Sequence, residues 1–148
     1  VENNTLIVHL RNLGKNFETI EHISFRKILR EPKIVKKFLF KKKIVAENLA
    51  AEISPSKKFI LSPESEVEVK IKLKESLEPE NMYELRVGRF ISFEEWEKGD
   101  YVSPHTIIGF AYWLEIGSDK SFKEIAAMTI SQADELLRKI ARGYTLKR

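Results

Sequence analysis

Hydrophobic and polar positions alternate most clearly at EVEVKIKL, residues 66–73, where Val67, Val69, Ile71 and Leu73 interleave with Glu66, Glu68, Lys70 and Lys72. A period of two predicts a half-buried strand. KKFILSPES before it reads as a short strand and a Pro-Glu-Ser turn. SLEPEN after it reads as another turn, followed by MYELRV as a further strand, so the three segments predict an antiparallel meander. The N-terminal part has the same character: TLIVHL alternates, RNLGKN offers a turn at Gly14, and TIEHISFRKI supplies a strand with Ile20 and Ile23 among its apolar positions.

Two regions carry a mixed pattern. Over 33–53, Pro32 could open a helix and AENLAAEI favours one, whereas KFLFKKKIV suits a strand. The expectation is a strand over 36–45 with a short helical turn after it. SPHTIIGFAYWLEIG has Ser103 as a helix N-cap, Pro104 at the first helical position and Gly117 as a stop. Its β-branched and aromatic content, and a mid-segment Gly109, suit a strand instead. The helix is the favoured expectation, over 104–116. Ser121 with Glu124, and Ser131 with Asp134, then predict capped helices at 122–129 and 132–142, with Gly143 closing the last.

Asn12 with Gly14, Leu61 with Pro63, and Pro79 with Tyr83 form an N-x-G turn, a Leu-x-Pro turn before the alternating strand, and a P-x-x-x-Y strand. On these motifs residues 5–88 resemble the immunoglobulin-like β-sandwich of archaeal surface proteins, the pilin-type and archaellum-associated subunits. The resemblance implies a sandwich and a non-enzymatic assembly role. The expected fold is therefore α+β: an antiparallel immunoglobulin-like sandwich or sheet over 1–92, then a small helical C-terminal lobe over 103–148, the two packed together and possible as one compact domain.

Composition narrows the chemistry. The chain has 148 residues, no cysteine and three scattered histidines, which excludes disulfides, thiolate catalysis and cysteine zinc sites. Lys and Glu dominate the charged set, Asp occurs only at 100, 119 and 134, and Gln132 is the single glutamine. That balance points to a thermophile, an archaeon or its virus. No apolar run reaches the ~18–20 residues of a membrane helix. A cytoplasmic location is expected if Val1 lies near the native start, and the cell surface or a virion if an upstream anchor was removed.

The net charge of +4 is uneven: residues 26–43 hold nine basic residues against Glu31 alone. Lys36, Lys37, Lys41, Lys42 and Lys43, interleaved with Phe38 and Phe40, make a candidate phosphate-contacting patch, against the favoured reading of a solvated face on an amphipathic element whose Ile34, Val35, Phe38 and Leu39 point inward. SFKEIAAMTISQADELLRKI, 121–140, adds a degenerate helix-turn-helix whose Arg138, Lys139 and Arg142 would join it, although Ile130 replaces the usual turn glycine. Asp134 and Glu135 at the start of the would-be recognition helix oppose a phosphate backbone.

Trp96, Tyr101, Tyr112 and Trp113 are candidates for a partner-binding surface, with a core role as the competing reading. Glu94, Glu95 and Glu97 read as a solvated acidic loop, and Glu21 and His22 would point to opposite faces of a strand, against a metal site. No nucleophile elbow, P-loop or dinucleotide fingerprint occurs. The expectation is a non-enzymatic interaction protein without cofactor or metal, binding a protein partner or itself; nucleic-acid binding is the alternative.

Overall fold

The computed structural model describes residues 5–37, 40–49, 51–79, 81–99, 106–117 and 121–142. Its strands are β1 (Thr5–Arg11), β2 (Glu18–Ile20), β3 (His22–Lys37), β4 (Phe40–Asn48), β5 (Ala51–Ser54), β6 (Phe59–Leu61), β7 (Glu66–Leu73), β8 (Met82–Phe90), β9 (Ile107–Ile116) and β10 (Phe122–Thr129). The helices are α1 (Phe93–Glu97) and α2 (Ile130–Ala141). All pairings are antiparallel, in a three-stranded sheet β1-β7-β5, a five-stranded sheet β10-β9-β8-β3-β4 and a small pair β2-β6.

The five-stranded sheet has a core packed on each face, which explains much of the layering. One face presents Phe25, Tyr83, Leu85, Val87 and Ile116 to Leu6, Val69, Ile71 and Leu73 of the three-stranded sheet, making a sandwich core. The other face presents Ile28, Ala111 and Trp113 to Ile130, Ala133 and Leu137 of α2. Alternation along each strand assigns consecutive residues to opposite cores. The alternating segment at 66–73 is β7, and its Val69, Ile71 and Leu73 supply much of the sandwich core.

Two of the turn motifs pin the sandwich. Asn12 is buried; its Oδ1 accepts from the Gly14 N–H at 2.9 Å, and its Nδ2 donates to the Asn16 and Leu61 carbonyls at 2.7 and 2.9 Å. Its backbone is tied to the next turn by Asn12 N–H to Ser65 O and Glu64 N–H to Asn12 O. Tyr83 stacks on Phe25, and its hydroxyl accepts from the Glu78 N–H at 2.9 Å.

Several expectations are corrected. The stretch expected as a helix over 104–116 is strand β9 from Ile107 onward, while Ser103 and Pro104 lie outside the described residues. Gly109 is the reason that reads most directly: it faces Gly88 across the β8–β9 ladder, and a Cβ on either glycine would collide with a backbone carbonyl of the other strand. The expected helix at 122–129 is strand β10, so Ser121 and Glu124 form no helix cap. The last helix is real but begins at Ile130. Its capping box uses Thr129 and Gln132 rather than Ser131 and Asp134: Gln132 N–H donates to Thr129 Oγ1 at 3.1 Å and Thr129 N–H to Gln132 Oε1 at 3.0 Å. With a strand in place of its first helix, the helix-turn-helix at 121–142 does not exist. In place of a helical lobe over 103–148 the described residues of that range form two strands and one helix, and β9 pairs with β8 from Ile107 to Glu115 within the five-stranded sheet. Within AENLAAEI, residues 46–48 end β4 and 51–53 begin β5 where a helical turn is expected, Ala50 lying outside the described residues, and the acidic loop near Trp96 contains the short helix α1.

Candidate interaction surface

The strongest electrostatic feature lies beneath α2. β8 places Glu84 between Arg26 of β3 and Trp113 of β9 in adjacent registers. The Glu84 side chain is fully buried. Its Oε1 accepts from Arg26 Nε and Nη2 at 2.8 and 2.6 Å and from Arg86 Nε at 2.6 Å. Oε2 accepts from the Trp113 indole N–H at 2.8 Å. Arg86 Nη2 then donates to Asp134 Oδ1 of α2 at 2.6 Å.

Burial by itself would raise the Glu84 pKa, but the Arg86 hydrogen bond, the Arg26 charge and the indole N–H together hold it below the ordinary carboxylate range. Burial opposes the charge of Arg86 as well, yet its bonds to Glu84 and Asp134 raise its pKa. Two guanidinium groups against two carboxylates leave the cluster neutral. Arg26, Arg86 and the Trp113 indole all donate to the buried carboxylate, and Arg86 reaches on to Asp134, so the cluster clamps α2 to the sheet. Asp134 thus points toward the sheet, not toward a ligand of α2.

The sheet edges differ sharply in how they are protected. Unpaired edges invite pairing with other chains, and proteins guard them with brevity, lysines, prolines or bulges. β2 and β6 have three residues each and β5 has four. β4 carries Lys41, Lys42 and Lys43. In β10 the register shifts between Glu124 and Ala126, next to Lys123. β1 has none of these devices: TLIVHLR holds neither lysine nor proline, and its seven residues pair with β7 without a register break. Among the described residues no strand pairs with its other side.

Beside that edge runs an open groove of about 1350 Å³. Three strands face five, and among the described residues no strand lies over the inner face of β9 and β10 beside β1. β1 forms one wall, and Val87, Phe110, Tyr112, Leu114 and Phe122 line the floor. Phe110 is 55% exposed although it points to the sandwich side of the sheet. Burial, then the nearby Glu124 charge, raises the Tyr112 pKa, so its phenol stays protonated.

The candidates drawn from sequence fall in separate places. Trp113 is 3% exposed and belongs to the α2 core, so it presents no partner-binding surface. Tyr112, its neighbour, faces the opposite side and lines the groove, while Trp96 lies against Phe93 on α1. Tyr101 lies outside the described residues. Lys36 pairs in register with Lys41, and Lys42 and Lys43 with Val35 and Ile34, at the far end of the β3–β4 hairpin; Lys37 pairs with Phe40. Arg138, Lys139 and Arg142 are exposed on the last turns of α2. Sequence reasoning missed the β1 edge, whose signal was a negative one: an alternating strand with no lysine or proline.

No protein-family model matches the chain, and no curated protein matches it. Among solved structures the chain is similar to the CsuC-CsuE chaperone-tip adhesion subunit pre-assembly complex from archaic chaperone-usher Csu pili of Acinetobacter baumannii. The identity is 13%, the coverage 86% of this chain and 82% of that one, and the TM-score 0.36.

Proposed function

We propose that the protein is a non-enzymatic interaction module that takes hold of a protein partner, or of another copy of itself, through the edge of β1 and the groove beside it. The observation that carries this reading is the contrast among edges: among the described residues the other sheet edges are short, lysine-bearing or bulged, and β1 is long, unbroken and unguarded. An exposed edge over an apolar floor offers backbone hydrogen bonds and pockets for alternate side chains, the two elements of recognition by strand addition. The Asn12 and Tyr83 pins support an immunoglobulin-like reading of the sandwich. The lysine- and glutamate-rich composition supports a thermophilic archaeal or viral setting.

The test grafts a guard onto the site. Ile7→Lys on β1 combined with Phe110→Arg on the floor should abolish the association seen by light scattering and crosslinking, with thermal unfolding little changed, because both side chains are more than half exposed. Association that persists undiminished, or a protein that is monomeric and partnerless at every concentration, refutes the reading.

Nucleic-acid binding is the second reading, supported by the nine basic residues of 26–43 set against Glu31 alone. Lysines on the β4 edge also serve as guards, which favours the first reading. A low-salt mobility shift that Lys41, Lys42 and Lys43 exchanged together for Glu removes would support the second; no shift would end it.

A further inference from the structure

We infer that the notch where the chain crosses from β4 to β5 is a second binding site, for the phosphoryl group of a small molecule with a compact apolar body. It lies on the flank of the sandwich opposite β1, shares no lining residue with the β1 groove, and stands or falls without it.

The notch follows from the crossing. β4 pairs with β3 as far as Arg26 opposite Asn48; Leu49 N–H then donates to the Phe25 carbonyl at 3.1 Å, and from Ala51 the chain pairs with β7 of the other sheet. Residues 22–24 of β3 pair with β8 on one side, and among the described residues no strand pairs with their other side. Backbone groups alternate between the two sides of a strand, so the Ile23 N–H points the same way as the Phe25 carbonyl, into the opening. The space left there is about 340 Å³.

Its polar lining is rich in donors. His22, Ser24 and Arg26 sit at alternate positions on one face of β3 and are joined by Arg86 of β8 and Asn48 of β4. Both arginines meet Glu84 along the same edge of the guanidinium, through Nε and Nη2, and Arg86 Nη2 also reaches Asp134. A planar guanidinium held by that edge carries Nη1 on its opposite side. Among the described residues neither Nη1 has an acceptor. Glu84 and Asp134 do not line the notch, so a cluster that is neutral as a whole turns its positive side to this opening. His22 registers that field: burial first, then the charges of Arg86 and Arg26, lower its pKa, so its ring is neutral at pH 7. The ring packs edge-on against Phe90, with Nε2 at 3.2 Å from Ser24 Oγ. With the proton on Nε2, His22 donates to the hydroxyl, and the hydroxyl proton turns to a ligand.

The donor set selects the ligand. The N–H groups on the two Nη1 atoms, the Ser24 hydroxyl and the Ile23 amide outnumber the roughly four lone-pair sites of a carboxylate. A phosphoryl group has three terminal oxygens for them, and arginine N–H groups suit its geometry. The remaining wall is apolar at Leu49, Ala51 and Ile53, so the body attached to the phosphoryl group is apolar. The volume lies at the lower end of the roughly 300–1,000 Å³ of small-molecule sites, which keeps that body compact.

The experiment titrates the full chain with phenyl phosphate, inorganic phosphate and acetate at low ionic strength, by calorimetry and by backbone amide shifts in NMR. Phenyl phosphate should bind about threefold more tightly than inorganic phosphate and about tenfold more tightly than acetate, with the largest shifts at residues 23–25 and Leu49. Ser24→Asp sets a carboxylate before the two Nη1 groups without removing any bond to Glu84. It should weaken phenyl phosphate about tenfold, and Ser24→Ala, which only removes the hydroxyl, about threefold. The paired Ile7→Lys and Phe110→Arg changes should leave the affinity as it is. Acetate binding as tightly as phenyl phosphate overturns the phosphoryl assignment, and inorganic phosphate matching it overturns the apolar wall. Shifts confined to the lysines of β4, undiminished binding by both Ser24 variants, or loss of binding in the Ile7→Lys, Phe110→Arg protein overturns the site. No binding of either phosphate sinks the proposal and leaves the reading of β1 untouched.

Discussion

Replacing Glu84 by glutamine removes one negative charge from the centre of the cluster and almost no volume. The carboxylate accepts from Arg26, Arg86 and Trp113, and its side chain has no access to water that could substitute. An amide must place an NH2 against either the three donors at Oε1 or the indole N–H at Oε2. The two guanidinium groups are then left with Asp134 alone, whose side chain is 46% exposed. Breaking a buried ion pair by removing one partner costs about 3–5 kcal/mol, against a total of roughly 5–15 kcal/mol for a domain. With a urea slope of about 2 kcal/mol per molar, the midpoint should fall by roughly 1.5–2.5 M at unchanged slope. Thermal unfolding should fall by about 6–20 °C, at ~2–4 °C per kcal/mol for a chain of this size. The cluster also dictates a pH dependence. Because Glu84's folded-state pKa is lowered, its contribution is complete above the ordinary carboxylate range and is lost as pH falls through the folded value. Wild type should therefore lose stability below about pH 4, and Glu84→Gln should lack that part of the acid limb. A Glu84→Gln protein within 1 kcal/mol of wild type at pH 7 would refute the view that the cluster clamps the two cores together.

Asn12→Ala leaves the Leu61 and Asn16 carbonyls without their side-chain donor and should lower stability by about 1–3 kcal/mol, with faster amide exchange at the β1 and β6 ends. Gly109→Ala pushes a methyl into the Val87 carbonyl; a loss under about 1 kcal/mol in urea unfolding would show that the β8–β9 ladder yields easily there. Thr129→Ala removes the α2 cap and should cost about 1 kcal/mol, mostly restored by Thr129→Ser, as read by thermal unfolding.

Legibility in the sequence tracked how many faces of an element are buried. β7 alternates cleanly because its glutamates and lysines face solvent, and its period of two was plain. β9 carries apolar side chains on both faces, Tyr112 and Leu114 toward the sandwich and its groove and Ala111 and Trp113 toward α2, so the alternation vanishes. A run of that kind reads equally as a buried helix, and Ser103-Pro104 adds a helix-start signal to it. In β8, Glu84 and Arg86 imitate a solvated face, and only the fold shows that α2 covers them. Asp134 looked like a repulsive group on a recognition helix because its partner, Arg86, lies 48 positions away. The groove was invisible for a different reason: it depends on three strands meeting five, a property of topology that no single segment carries.

The indole bond from Trp113 to Glu84 also gives the molecule a built-in optical gauge. The chain has two tryptophans, and they sit in opposite surroundings: Trp113 is sealed beneath α2 against a carboxylate, and Trp96 lies out on α1. A soluble quencher therefore reaches one emitter and not the other. The shielded fraction of the emission reports whether the helix is still seated, so detachment of α2 can be timed separately from opening of the sandwich on the far face of the same sheet.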